Sequence, residues 1–240
     1  GTAEVTAGKA TLEVPGFQAG AHTIVARFGR TEVTEGSDSN AVSFTLVKGK
    51  PTMVMSLSSA ATTFGQAARL SAVVGGADGG SVTFRYGSVS TKVALRNGAA
   101  SLTLPKALKP GRYTVSAAYD GTDRTEGAAA ISTRLTVAKK ATTARISAPG
   151  SVKAGKTLKG NVAVRGEVAG VAPTGTAKVY VARGKGGYRL ARTVKVPASG
   201  RVSYSVKAPA KRQSLRVKVV YSGDANYRAS SSAAKAVRIR

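Results

Sequence analysis

The chain is 240 residues long, with 37 Lys and Arg against 11 Asp and Glu, a net charge of +26, one His, and neither Cys nor Trp. The missing cysteines exclude a disulfide framework, a thiolate nucleophile and a thiolate-bound zinc site, and apolar runs of only a few residues exclude a transmembrane helix or signal peptide within this stretch. Hydrophobic content of 42% is enough for a core, and a pI near 11.0 points to anionic partners without saying which.

Val, Ala, Thr, Ser and Gly dominate, and no segment sustains apolar residues at helical spacing over three turns. Period-two alternation recurs instead, as in Val202-Ser-Tyr204-Ser-Val206 and Leu215-Arg-Val217-Lys-Val219. One buried and one wet face per strand predicts an all-β chain. In chain order, Gly8–Leu12 and then Ala19–Phe28 give the first strand pair. Gly98–Leu102 with Pro110–Tyr119, and Gly200–Val202 with Ser214–Tyr221, repeat the layout. The aromatic that ends each long strand falls at Phe28, Tyr119 and Tyr221, spacings of 91 and 102, which is the length of a β-sandwich module rather than of a solenoid repeat.

The front of the module occurs only twice: Lys50-Pro-Thr52 matches Lys140-Ala-Thr142, and Phe64-Gly-Gln66 matches Ala154-Gly-Lys156. Nothing equivalent precedes Gly1. The expected organisation is therefore residues 1–49 as the C-terminal half of one module, 50–138 as a full module and 139–240 as a second full, strongly basic one. An open half-sandwich leaves apolar faces and strand edges that a neighbouring domain or chain must cover.

Within 50–138, strands are predicted over 52–58, 67–74, 81–86, 90–96, 99–104, 112–119 and 131–137. They are separated by turns at Gly75-Gly76, Asp78-Gly-Gly80, Asn97-Gly98, Lys109-Pro-Gly111 and Asp120-Gly121. Seven short strands so spaced predict an Ig-like two-sheet sandwich, here without the disulfide. Tyr113 stands where a tyrosine-corner hydroxyl bonds back to the backbone, and His22 and Leu215 hold the aligned positions. The linkers at Lys48-Gly-Lys-Pro51 and Ala138-Lys-Lys-Ala141 are short, which predicts a semi-rigid succession of modules.

The run Tyr221-Ser-Gly-Asp-Ala-Asn-Tyr227, the strand Ala19–Phe28 with Gly36-Ser-Asp-Ser-Asn-Ala-Val42 after it, and Pro173-Thr-Gly-Thr-Ala-Lys-Val179 together resemble bacterial Ig-like repeat modules over essentially the whole chain. Two departures are the altered turn motif in the second module, Tyr119-Asp-Gly-Thr-Asp-Arg, and the charge. The resemblance implies tandem Ig-like β-sandwiches in a secreted or wall-attached protein of a high-GC Gram-positive bacterium, extracellular or in the cell wall. It implies spacer or adhesive roles and no catalytic residues.

The residues themselves agree on catalysis. His22 is the only imidazole and falls on a structural corner, and no Gly-x-Ser-x-Gly, His-Glu-x-x-His or P-loop spacing occurs. Gly184-Lys-Gly-Gly187 reads as a hairpin turn. Asp120, Asp123 and Glu126, with Glu32, Glu35 and Asp38 in the matching loop, are weighed as calcium ligands. The third module keeps only Asp224 there, and they read as solvated loop acids. No catalytic residue, metal or cofactor is expected.

Charge is informative once divided. Residues 1–50 carry five basic and five acidic side chains, residues 51–138 nine and four, and residues 139–240 twenty-three and two. If Leu215, Val217 and Val219 face inward, Arg216 and Lys218 face out. Val237 and Ile239 inward leave Arg238 and Arg240 outside, and Ala177, Val179 and Val181 inward leave Lys178 and Tyr180 outside. In an Ig-like sandwich these three strands share a sheet, so Lys178, Tyr180, Arg216, Lys218, Arg238 and Arg240 are expected to form one basic face. General basicity, docking on an anionic cell-wall polymer or acidic polysaccharide, and nucleic acid are its three readings. Nucleic acid is the least favoured, since no helix reads a groove and stacking aromatics are scarce. The chain reads as a non-enzymatic extracellular spacer or adhesion segment whose basic module contacts the envelope. The alternative is an assembly subunit of a filament, sheath or phage virion, joined through the open half-module.

Overall fold

The computed structural model describes residues 1–168 and 170–240, and its regular elements are all strands. No helix among the described residues is long and apolar enough to cross a membrane. The described residues gather into two compact units. One comprises Gly1–Ser56, Ser71–Leu102 and Val115–Thr133; the other comprises Leu57–Leu70, Thr103–Thr114 and Arg134–Arg240.

Residues 1–49 hold β1 (Gly20–Ile24), β2 (Arg27–Phe28), β3 (Ser37–Asp38) and β4 (Val42–Leu46). β1 pairs antiparallel with β4, and β2 with β3, where Arg27 and Asp38 form a two-bond ion pair at 2.8 and 3.0 Å. No side chain in this segment is fully buried, and Val33 and Val47 are 92% and 85% exposed. The strand pair expected from Gly8–Leu12 and Ala19–Phe28 does not form as such: residues 8–12 hold no strand and Lys9 pairs only with Thr6 in an isolated bridge, while the long strand is interrupted at Val25 and Ala26 between β1 and β2. The rings of Phe17, His22 and Phe44 pack together with centroids 4.7–5.5 Å apart, and His22 Nε2 bonds the Gln18 carbonyl at 2.7 Å.

The second module runs through β5 (Thr52–Leu57), β6 (Ala61–Thr63), β7 (Arg69–Gly75), β8 (Ser81–Tyr86), β9 (Val89–Ala94), β10 (Ala99–Thr103), β11 (Gly111–Tyr119) and β12 (Ala128–Ala138). Its strands order as β10-β7-β5 and β6-β12-β11-β8-β9. The third contains β13 (Thr143–Ser147), β14 (Ser151–Val152), β15 (Thr157–Arg165), β16 (Thr176–Arg183), β17 (Arg189–Lys195), β18 (Arg201–Lys207), β19 (Ser214–Tyr221), β20 (Ser230–Ser231) and β21 (Lys235–Ile239). These order as β18-β15-β13 and β14-β21-β19-β16-β17, with β20 against β19. The same topology is thus built twice, each time with a very short strand, β6 or β14, pairing parallel to the last. Of these, β6 lies outside the strands predicted for residues 50–138, because three residues are too few to display alternation.

The structural details repeat as well. Tyr113 donates its hydroxyl to the Lys109 carbonyl at 2.8 Å, and the His22 ring donates from Nε2 to the Gln18 carbonyl at 2.7 Å, each four residues back. After each long strand a tight loop closes through one backbone bond: Thr31 to Thr34, Thr122 to Thr125 and Asp224 to Tyr227, at 2.9, 2.9 and 3.1 Å. Gly121 and Gly223 enter two of these loops at φ +79° and +78°, where a Cβ would lie within 3 Å of backbone atoms, so no other residue fits. The altered motif of the second module therefore preserves its turn. Thr122 Oγ1 accepts the Arg124 and Thr125 amides where Asp224 Oδ1 accepts those of Asn226 and Tyr227, and Asp78 accepts the Thr122 and Thr125 hydroxyls.

Each linker is bonded to the loop of the module it leads into. The Gly49 amide and carbonyl bond Arg124 and Glu126, and those of Lys140 bond Asn226 and Arg228. Lys48 and Lys139 place their ammonium groups on the Thr122 and Asp224 carbonyls. The third module has one further anchor. Phe64, which follows β6, is buried in a core otherwise drawn from residues 144–239, with its ring edge-on to Tyr227 at 5.6 Å.

A candidate polyanion-binding face

In the third module, Ala177, Val179, Leu215, Val217, Val219, Val237 and Ile239 are buried in one core, with Val181 packed against it. Alternation then directs their neighbours outward. β19 lies between β21 and β16 in one sheet, so the three strands that carry the six sequence-selected residues are adjacent. Tyr180 stands directly opposite Lys218, and Lys178 opposite Val220. Arg238 stands opposite Ser214, two positions along β19 from Arg216. A bulge between Val179 and Tyr180 shifts the register of β16 against β17 and leaves that against β19 intact.

Arg240 is placed differently. It lies past the end of β21, its guanidinium reaches Ser151 Oγ on the neighbouring β14, and its side chain lines a cavity with Lys153 and Arg212. The sheet face proper consists of Lys178, Tyr180, Arg216, Lys218 and Arg238.

One residue of this face was not selected from the sequence. The loop between β16 and β17 brings Tyr188 over the sheet, with Lys218 Nζ 4.3 Å and the Arg216 guanidinium carbon 5.5 Å from its ring centroid. Both distances are within cation–π range. Arg216 also donates to the Gly184 and Gly186 carbonyls at 3.4 and 3.3 Å, so the glycine-rich turn is fastened by the cation it covers. Alternation gives the side a strand residue faces but not where a loop folds, so it does not place Tyr188; the aromatic directly after Gly-Lys-Gly-Gly is the one cue in the sequence.

The charges of this module are not neutralised from within. Its only acids are Glu167 and Asp224. Burial raises the Asp224 carboxyl, and hydrogen bonds from the Thr174, Asn226 and Tyr227 amides and the Tyr221 hydroxyl outweigh it, holding the group below its usual range. Three ion pairs occur among the described residues, Arg27–Asp38, Arg30–Glu35 and Lys92–Asp120, all outside the third module. Burial pushes the Tyr204 phenol, which bonds the Ser147 carbonyl at 3.0 Å, up to about 12.

Three of the loop acids weighed as calcium ligands have other partners. Asp120 accepts from Ser81, Thr83 and Lys92, and Asp38 and Glu35 face arginines. No group of three His, Cys, Asp or Glu that could hold a metal gathers among the described residues.

Comparison with known proteins places this architecture. The crystal structure of a tetra-tandem repeat in the extending region of a large adhesion protein superposes with a TM-score of 0.52 at 18% identity. The chain is covered completely and spans 63% of that structure's length. A marsupial T cell receptor (TM-score 0.35, 15% identity, 78% of this chain and 72% of that one) and red sea bream transglutaminase (0.34, 14%, 78% and 31%) match more loosely. No curated protein matches. The model of the bacterial Ig-like domain (group 3) family matches residues 55–138 and again 145–240. With both complete modules matched in turn, the chain belongs to the bacterial Ig-like domain (group 3) family.

Proposed function

We propose that this chain is a non-enzymatic spacer or adhesion segment of a bacterial surface or secreted protein, and that its basic module contacts an anionic envelope polymer. The family and the likeness to the extending region of an adhesion protein support the first part. The second rests on one observation: Arg216 and Lys218 share the Tyr188 ring on a sheet face that also presents Lys178 and Arg238, with no carboxylate paired to any of them among the described residues. Point charges on a rigid sheet suit a polyanion of variable composition, and an aromatic ring adds a surface for sugar or polyol.

The test is retention on a glycerol-phosphate wall polymer. The wild-type chain is expected to bind at about 150 mM salt and to lose most retention by about 500 mM, as screened charges do. Changing Arg216, Lys218 and Arg238 to Gln, which leaves Arg240 outside the face in place, is expected to weaken binding at least about tenfold. Unchanged retention refutes the basic face, and equal loss on double-stranded DNA reduces it to general basicity.

A second reading is favoured by the exposed Val33 and Val47 and the two-stranded sheet β1–β4: residues 1–49 pair with another subunit in an assembly. Sedimentation separates the two readings, since a spacer stays monomeric while an assembly subunit associates as concentration rises.

A further inference from the structure

The pole of a module formed by its short parallel strand and the end of its last strand is built alike in both complete modules. Thr63 is opposite Ala138 in the β6–β12 register, and the equivalent β14–β21 register leads to Lys153 and Arg240. The Phe64 amide bonds the Ala138 carbonyl as the Ala154 amide bonds that of Arg240, and Gly65 and Gly155 bond the carbonyls of Lys106 and Pro209. In the second module this pole carries Phe64, buried in the core of the third.

The third module keeps the frame and changes the chemistry. Ala154 stands in place of Phe64. Three positions that are neutral in the second module, Thr63, Pro110 and Ala138, become Lys153, Arg212 and Arg240. All three cations line one cavity of about 650 Å³ together with Ser151, Val152, Ala154 and Ala210. No carboxylate pairs with them among the described residues, and the Arg240 guanidinium is held in place by Ser151 Oγ, at 2.8 Å from Nε. Gathering three like charges around one hollow works against stability, and the second module demonstrates that the frame does not need them.

From this we propose that the pole is a binding site for a multiply charged phosphoryl anion, distinct from the sheet face. The Arg212 guanidinium fork, the Arg240 guanidinium oriented through Nε and Nη2 by Ser151, and an ammonium group supply donors for phosphoryl oxygens, and the cavity has the size of an ordinary ligand pocket. The phosphoryl groups of a phosphodiester polymer and of free inorganic polyphosphate share this chemistry.

Calorimetric titration of the full chain with inorganic tripolyphosphate, and separately with a short glycerol-phosphate oligomer, tests the site. One variant changes the pole, Lys153→Thr with Arg212→Gln, the Thr being the residue the second module carries there. Another changes the face, Arg216→Gln with Lys218→Gln. With tripolyphosphate the expected result is one saturable site whose affinity falls at least about tenfold in the pole variant and stays within about twofold in the face variant; the oligomer is compared at the pole in the face variant, where the sheet face no longer contributes. Tighter binding of the oligomer assigns the site to a polymer, and tighter binding of tripolyphosphate to the free anion. Equal loss in both variants, or an unaffected pole variant, overturns the proposal; so does a polyglutamate that binds the pole as tightly as the phosphoryl probes. Because only the face variant affects the wall-polymer reading, failure of one idea leaves the other standing.

Discussion

Replacing Phe64 with Ala is expected to lower the stability of the third module by about 3–5 kcal/mol, the range for truncating a fully buried Phe, although Phe64 belongs by sequence to the second. The side chain is 1% exposed and belongs to the buried core otherwise drawn from residues 144–239 of the following module, where it packs against Tyr227. Its edge-on packing against Tyr227 adds a favourable ring–ring geometry. The surroundings cannot collapse to fill the gap. Tyr227 is held by two hydrogen bonds from its hydroxyl oxygen, accepting the Val168 amide and donating to the Val171 carbonyl. Gly65, at φ +97°, has so little clearance that a Cβ would lie 2.0 Å from Val168 Cγ1.

Urea unfolding and amide exchange check this together. The midpoint should fall, and the amides of Val168 and Tyr227 should exchange faster. Phe28→Ala, at a ring that is 36% exposed in the first segment, should cost well under about 1 kcal/mol. If Phe64→Ala costs no more than that control, the ring does not serve the third module's core.

How much of this was legible beforehand follows from the range of each signal. Alternation is local, and it placed Leu215, Val217, Val219, Val237 and Ile239 inward and their basic neighbours outward. The bulge at Val179 left the inward Val181 in step with β19, so that reading survived an irregularity it did not foresee. Self-similarity works at long range, and it found the corner shared by His22 and Tyr113.

Neither signal reports what one module does to the next. Phe64 aligns with Ala154 and looks like a turn residue, and only the fold places it against Tyr227. Nor does either signal report exchange between distant positions. The Tyr119-Asp-Gly-Thr-Asp-Arg motif reads as degraded because its compensating carboxylate, Asp78, is 44 residues away from Thr122. The departure of Arg240 from the face has a similar cause. Parity gives it the correct side of β21, while the hydroxyl that draws it toward β14, on Ser151, is 89 residues earlier.

Asp224 gives the second large effect, because one carboxylate closes the loop that carries Tyr227. Its Oδ1 accepts the Asn226 and Tyr227 amides, both at 2.8 Å, and its Oδ2 accepts the Thr174 amide at 2.8 Å and the Tyr221 hydroxyl at 3.1 Å. Asp224→Ala leaves the Asn226, Tyr227 and Thr174 amides without this acceptor, while the Tyr221 hydroxyl keeps the Thr174 carbonyl, and each buried orphan costs about 1–3 kcal/mol. A total loss of about 3 kcal/mol or more is therefore expected.

Asp224→Thr should recover part of it. The second module closes its loop with Thr122, whose hydroxyl accepts the two matching amides; the bonds to Thr174 and Tyr221 would still be missing.

The pH dependence has a definite sign. The folded carboxyl sits below its ordinary value because the hydrogen bonds outweigh burial. The unfolded chain therefore takes up this proton more readily, and the stabilisation is complete above the unfolded value of about 3.9. It is lost as pH falls through the lower folded value. Asp78 and Asp120 are also held low, by hydrogen bonds from Thr122 and Thr125 and, against burial, from Lys92, Thr83 and Ser81, so the wild-type chain weakens in acid for several reasons at once. The difference between wild type and Asp224→Ala isolates one of them. It should be large at neutral pH and shrink as the carboxyl is protonated. A gap that stays constant down to about pH 2 would mean that the contribution of Asp224 lies in shape rather than in charge-assisted bonds.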